Sequence, residues 1–259
     1  MKKKERLDRE MIRREMAPDV DQASRWIMAG RVWVNGQRAV KADQRVSPGD
    51  SINIEEPRRF VSRGGEKLSS ALSQLPLEIA EKTCADVGSS TGGFTDCLLQ
   101  AGARRVYAID VGRGQLHWKL RQDDRVISME RTDARALREL PEPIDLATVD
   151  ASFISLERLL PVVSGWLADS GDLLALVKPQ FEAKPSEVEQ GGLVRDVGVQ
   201  RRVLLEAARW FEQAGVPPQR ILPSEVAGAK GNQEYFLWGR VGGETSPPES
   251  LLPSTFERS

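Results

Sequence analysis

The sequence predicts an α/β protein: a Rossmann-like seven-stranded domain behind a small α+β module at the N-terminus. Three observations carry that expectation. Short β-rich runs alternate with helical ones from Lys67 onward, as in a doubly wound parallel sheet. A glycine-rich loop, Gly88-Ser89-Ser90-Thr91-Gly92-Gly93, follows the first of those runs and opens a helix. The preceding stretch, residues 5–54, reads as a self-contained unit with its own turns and periodicity.

In the N-terminal module two helical stretches come first, roughly 6–16 and 21–29. Asp19 or Asp21 can cap the second, and Gly30 can end it. The segment Val32-Trp33-Val34-Asn35-Gly36-Gln37-Arg38 alternates apolar residues around Asn-Gly, the strongest short hairpin signal, because both turn residues need positive φ. Pro48-Gly49-Asp50 makes a turn before a short strand at Ser51–Ile54. Pro57, two arginines and Gly64-Gly65 then read as an interdomain linker over 57–66.

In the larger part, 67–243, the expected strands are Cys84–Val87, Val106–Asp110, Val126–Met129, Leu146–Asp150, Leu173–Val177, Ile221–Ser224 and Tyr235–Val241. The clearest helix spans roughly 198–214. Val203, Leu204, Ala207, Ala208 and Phe211 share one face of it, and Gly215 lies beyond its end. Residues 244–259 are rich in Pro, Ser and Glu and read as a disordered tail.

Composition narrows the function classes. Hydrophobic residues make up 40% and charged residues 29%, enough for a real core. The net charge of −1 hides an asymmetry. Residues 1–60 hold 14 Lys and Arg against 10 Asp and Glu, whereas the remainder holds 23 against 28. A basic front on an acidic body points the front toward phosphate. No apolar stretch is long enough to span a bilayer and no signal peptide is visible, so the expectation is a cytoplasmic protein without a membrane partner. Cys84 and Cys97 fit neither a metal site nor a disulfide framework and read as buried thiols. One histidine, His117, excludes a histidine-rich metal site, and no metal is expected.

The loop Asp86–Phe94 is neither a dinucleotide fingerprint nor a Walker loop: its spacing is Gly88-x-x-x-Gly92-Gly93, and no Gly-Lys-Ser/Thr follows. Glycine there would let the backbone pass close to a ligand. Asp110 ends the second strand, where a carboxylate can accept from both ribose hydroxyls of a nucleoside. Asp133, after the third strand, is placed to meet an adenine edge, and Asp86 to meet an amine. A nucleoside bound without a phosphate cradle fits S-adenosylmethionine. The expected cofactor set is Asp86, Gly88, Ser89, Ser90, Thr91, Gly92, Gly93, Phe94, Asp110, Asp133 and Asp150.

The fourth strand ends in Asp150-Ala151-Ser152-Phe153, not the Asn/Asp-Pro-Pro-aromatic motif of amino-group methylases. Both cysteines are misplaced for carbon-5 methylation of cytosine. Lys67, Asp150, Lys178 and Glu234 instead stand at element ends. A ribose hydroxyl must lose its proton as it attacks a methyl group. A lysine in a dry pocket near a second positive charge can take that proton, with carboxylates orienting both amines.

These four residues resemble the Lys-Asp-Lys-Glu tetrad of FtsJ-like 2'-O-methyltransferases. The longer match is to the TlyA family, also called hemolysin-like. It is carried by Val61-Ser62-Arg63-Gly64-Gly65-Glu66-Lys67-Leu68, the loop Asp86–Phe94, Val149–Ser155, Val177-Lys178-Pro179-Gln180-Phe181-Glu182 and Gly231-Asn232-Gln233-Glu234-Tyr235-Phe236. The resemblance covers residues 5–242. It implies an alpha-L (ribosomal-protein-S-four-type) RNA-binding domain over 1–56, and S-adenosylmethionine-dependent 2'-O-methylation of a cytidine ribose in ribosomal RNA. The implied partner is ribosomal RNA or a ribosomal subunit. Family members carry an aromatic-Val pair in the linker that couples RNA binding to cofactor binding; here it is Phe60-Val61, with phenylalanine where some relatives have tryptophan. Arg6, Arg13, Arg14, Arg25, Arg31 and Arg38, with Arg63, are the expected RNA contacts, since a guanidinium fork suits phosphate. The rival readings are an RNA-binding protein with an inactive methylase domain and a membrane-acting hemolysin. The first predicts broken tetrad or cofactor positions, and the second a signal, a spanning segment or a large amphipathic basic helix; the sequence shows none of these.

Overall fold

The computed structural model describes residues 4–55 and 59–256. They fall into two compact units that divide between Arg58 and Arg59.

The first unit contains β1 (Glu5–Arg6), α1 (Leu7–Arg13), α2 (Val20–Met28), β2 (Val32–Val34), β3 (Gln37–Arg38), β4 (Arg45–Val46) and β5 (Ile52–Ile54). Asp19 caps α2 by accepting from the Gln22 amide at 2.7 Å. The β2–β3 hairpin turns through Asn35 and Gly36, both at positive φ. Strand β5 pairs antiparallel with β2, and β1 with β4. Leu7, Met11, Ala23, Ile27, Val32, Val34 and Val46 form its core. Asp8 and Glu10 are buried carboxylates on α1, and each is paired. Arg6 holds Asp8 at 2.6 Å, while Arg13 and Arg14 bracket Glu10 and hold its carboxyl down to about 2.

The second unit begins with α3 (Arg63–Gln74). It continues through β6 (Thr83–Val87), α4 (Gly93–Gln100), β7 (Arg105–Asp110), α5 (Trp118–Arg121), β8 (Val126–Glu130), β9 (Ile144–Val149) and α6 (Leu156–Ser164). It ends with β10 (Leu167–Val177), α7 (Pro179–Glu182), α8 (Val197–Gln213), β11 (Pro218–Pro223) and β12 (Tyr235–Arg240). These seven strands form one sheet in the order β11-β12-β10-β9-β6-β7-β8. Successive residues of β10 alternate between two cores. Leu173, Ala175 and Val177 pack toward α6 and α8; Leu174 and Leu176 pack toward α3 and α4. Helices on both faces explain why the strands read as nearly continuous apolar runs. Cys84 and Cys97 are buried free thiols, both pushed up to about 12 by that burial. Among the described residues no helix is long and apolar enough to cross a membrane.

Three expectations need correction. The sheet is not wholly parallel: β12 runs antiparallel to both β10 and β11. The 224–234 return holds only a short 3-10 turn, whereas a parallel connection needs a longer crossover. The expected linker over 57–66 is largely part of the second unit. Pro57 lies outside the described residues, but Phe60 is buried in the α3–α4 core, and Val61 donates to Asp96 Oδ2 at 2.9 Å. Arg59 lies over the Phe60 ring and its carbonyl accepts from Gln100. Gly65 opens the space, since a Cβ there would stand 2.3 Å from Phe60. Lastly, the segment expected as a disordered tail, 244–259, is anchored near its end, residues 257–259 lying outside the described residues. Phe256 is buried, its ring 5.9 Å from Tyr235, and Leu251 and Leu252 join the same cluster. A few apolar residues in a polar segment suffice when a core edge is open beside them.

That contact is testable. Phe256→Ala should lower the unfolding free energy by about 3 kcal/mol, read from urea denaturation; an unchanged midpoint would mean that the tail adds nothing to the core.

Candidate active site

Strands β6, β7, β9 and β10 end at one edge of the sheet, where open α/β folds place their ligands. Because β12 runs the other way, its first residue, Tyr235, pairs with the last of β10, Val177. Glu234, just before β12, is therefore brought to the same edge as Lys178, just after β10. Asp150 stands one residue past β9, and Lys67 comes from the first turns of α3.

The four side chains form two ion pairs. Lys67 Nζ lies 2.6 Å from Glu234 Oε2, and Lys178 Nζ lies 2.7 Å from Asp150 Oδ1. Lys67, Lys178 and Glu234 are 9%, 8% and 2% exposed, levels that isolated charges do not tolerate. Lys178 also donates to the Ala151 carbonyl at 3.1 Å and to Ser152 Oγ at 3.0 Å, and lies over the Phe181 ring. Burial pushes the Asp150 carboxyl up. The Lys178 and Lys67 charges oppose that and Glu234 adds to it, so the four groups act as one electrostatic cluster. Glu234 fits because residue 228 is glycine: a Cβ there would sit 2.1 Å from its Oε1.

Two clefts meet beside this cluster, sharing Gly88, Ser90 and Asp150 in their walls. The smaller, about 230 Å³, is bounded by Ser62, Arg63, Lys67, Asp86, Thr91 and Phe94, among others. The larger, about 510 Å³, runs past Asp110, Gln115, Asp133, Phe153 and Ile154. Asp86 has no exposure; its Oδ2 accepts from the Thr95 amide at 2.9 Å and from Thr95 Oγ1 at 2.6 Å. Burial pushes its carboxyl up to about 7. Asp110 accepts from the Ser90 and Gly112 amides, one on each oxygen, which fixes its carboxylate at the rim of the larger cleft.

Not every expected cofactor residue lies where the spacing put it. The loop glycines are set by close packing within the protein. A Cβ at Gly88 would stand 2.8 Å from the Asp150 carbonyl, at Gly92 2.2 Å from Leu120, and at Gly93 2.2 Å from Ser62 Oγ. Gly92 lines neither cleft. Asp133 faces the larger cleft but is engaged, capping the 3-10 turn Ala134–Ala136 and pairing with Arg135 at 2.7 Å. Ser89, Ser90, Thr91, Gly93 and Phe94 do line the smaller cleft.

The expected RNA-contacting arginines also divide. Arg14 is taken up internally, by Glu10 and by the carbonyls of Asp50 and Pro48, so it pins the 47–50 turn. Arg6 and Arg13 are paired with Asp8 and Glu10. Arg25 reaches Gln22, whereas Arg31 and Arg38 lie over the faces of Trp26 and Trp33. Arg63 belongs to the second unit and borders the smaller cleft.

Sequence reasoning missed Gln115, Thr132, Ser152 and Phe153 as cleft residues. Phe153 is 90% exposed with φ +64, an uncommon backbone for an aromatic, and its ring stands 4.9 Å from Phe181. The aromatic ring beside Asp150 was the available signal, but its exposure is decided by tertiary packing.

Residues 60–241 match the FtsJ-like methyltransferase family model, and residues 5–52 match the S4 domain. The chain is 42% identical, over 93% of its length and 91% of the relative's, to the 16S/23S rRNA (cytidine-2'-O)-methyltransferase TlyA of Mycobacterium tuberculosis. It is 38% identical to Hemolysin A of Brachyspira hyodysenteriae, over 81% of this chain and 89% of that one. A solved structure from Streptococcus thermophilus, a hemolysin by its description, superimposes with a TM-score of 0.73 at 35% identity, covering 98% of this chain and 96% of the other.

Proposed function

Because the chain belongs to the TlyA family of FtsJ-like methyltransferases, we propose that it methylates the 2'-hydroxyl of a cytidine ribose in ribosomal RNA. The observation that carries this reading is the pair of buried amine–carboxylate contacts, Lys67–Glu234 and Lys178–Asp150, at the mouth of a two-lobed cleft. The cofactor is S-adenosylmethionine, and the cleft chemistry suits it. Asp86 places a carboxylate in the smaller lobe for a cationic amino-acid end, Asp110 offers the larger lobe an acceptor for ribose hydroxyls, and Asp150 stands where the lobes join. When bound, the cofactor supplies an electrophilic methyl group on a sulfonium.

Lys178 is the residue assigned to take the hydroxyl proton. Its amine is aimed by four neighbours: Asp150 Oδ1, the Ala151 carbonyl, Ser152 Oγ and the Phe181 ring. The Asp150 carboxyl, pushed up by burial, can hold the proton that Lys178 must give up before it acts as a base. Lys67, fixed by Glu234, adds the positive charge that stabilises the forming alkoxide. The exposed ring of Phe153 offers a stacking surface beside the cluster for an unstacked base. In the first unit, Arg25, Arg31 and Arg38 are the cations assigned to RNA phosphate; the two tryptophan faces preorder the last two. A ribosomal subunit as the physiological substrate and a cytoplasmic location follow from the same reading.

Methyl transfer from labelled S-adenosylmethionine to unmodified ribosomal subunits, followed by nucleoside analysis, tests the proposal. Labelled 2'-O-methylcytidine is expected, and Lys178→Ala should abolish it while cofactor binding persists. Label on a base would overturn the tetrad assignment. Cofactor affinity should rise with pH through about 7, where Asp86 ionises, and fall again once the cofactor's own α-amine loses its proton, at about 8 or above, because the attraction needs both charges. Calorimetry across that range checks this, with Asp86→Asn expected to flatten the curve; a flat wild-type curve would contradict it. Replacing Arg31 and Arg38 together by Ala should weaken RNA binding and make the salt slope shallower, by roughly one unit for each phosphate no longer neutralised. An unchanged slope would move the footprint to other residues.

A further inference from the structure

Glu234 is held on its two oxygens by different partners. Oε2 meets Lys67 Nζ at 2.6 Å, and Oε1 accepts from Gln180 Nε2 at 3.4 Å. Gln180 stands on α7, two residues after Lys178, so the same short helix touches both ion pairs. Its carbonyl, Oε1, is buried and has no hydrogen-bond partner among the described residues. Native proteins leave few buried acceptors bare, because the forfeited hydration is not returned. The amide cannot turn over to relieve this, since its carbonyl would then face the Glu234 carboxylate. The site therefore retains a destabilising arrangement that has one evident benefit: an N–H directed at Glu234.

The remaining supports of Glu234 fix its backbone and leave its carboxylate to Gln180 and Lys67. Its carbonyl accepts from the Ser224 amide at 2.8 Å and from Gln233 Nε2. Two residues before it, Asn232 is buried and ties the loop down, accepting from the Val194 amide at 3.0 Å and donating to the Gly192 carbonyl at 2.7 Å. Gly228 leaves the carboxylate room but offers it no side chain.

We propose that Gln180 is a positioning residue for the reaction: by holding one oxygen of Glu234 it directs the other to Lys67, and so sets where the Lys67 charge stands relative to the reacting hydroxyl. The inference rests on the methyl-transfer reading above. Because the amide brings a bare carbonyl along with its donor, its net contribution to folding is small, and that separates it from an ordinary core contact.

Gln180→Leu, of similar volume and with no polar atoms, is the discriminating variant. Single-turnover methyl transfer, KM for RNA, S-adenosylmethionine affinity and thermal midpoint would be measured on the full chain beside wild type. The expected result is a rate lowered about 10-fold, with KM and cofactor affinity within a factor of about 2 and the midpoint changed little, because loss of the bare Gln180 carbonyl offsets the Glu234 oxygen left without its donor. Gln180→Glu serves as the second variant. It keeps the shape but replaces the donor by an acceptor, and should be slower than wild type with cofactor affinity retained. A wild-type rate in Gln180→Leu, or a slowing that follows a lowered midpoint or weakened cofactor binding, would overturn the proposal. A wild type that transfers no methyl group to ribose would instead sink the functional reading on which it rests.

Discussion

Charge buried at the edge of a sheet must be paired, and the architecture of the second unit follows from that requirement. Removing one partner of a buried ion pair leaves an uncompensated charge that costs about 3–5 kcal/mol. Here two lysines and two carboxylates are brought together at the ends of β9 and β10, the first turns of α3 and the start of β12. The reversal of β12 is what makes this possible, since a parallel last strand would begin at the opposite edge and carry Glu234 away from Lys67. Gly228, by lacking a Cβ, and Asn232, by anchoring the loop, then keep the carboxylate in place.

The smaller cleft is assembled around helix α4. Its N-terminus is held by Asp86 through Thr95, and its inner residue Asp96 accepts from the Val61 amide. Gly65 and Gly93 let Phe60 and Ser62 approach closely. The segment that enters the second unit is thus built into the same packing as the glycine loop, so a displacement of Arg59–Ser62 would be felt at the wall of the smaller cleft. The two clefts and the charged cluster share Asp150, whose backbone lies against Gly88 and whose side chain meets Lys178.

In the first unit arginine has two uses. Arg6, Arg13 and Arg14 neutralise two buried carboxylates and pin a turn, which is structural work. Arg31 and Arg38 lie on indole rings, where the charge remains available to an anion while the side chain is already ordered. The distinction cannot be read from residue type alone.

Local pattern determined much of this protein. The Asn35-Gly36 hairpin, the Asp19 cap, all seven strands of the large sheet and the long helix ending before Gly215 were legible because each depends on neighbours in sequence. The four charged residues were legible one by one, in motifs long enough to identify the family. The direction of β12, the burial of Phe60 and Phe256, the engagement of Arg14 and the pairing of each lysine with its carboxylate were decided only by tertiary structure. Lys67 and Glu234 are 167 residues apart, and their contact exists only once the sheet edge has formed. The loop glycines show the same limit: sequence marked them as special, but whether the missing Cβ made room for a ligand or for Asp150, Leu120 and Ser62 depended on what packs against them.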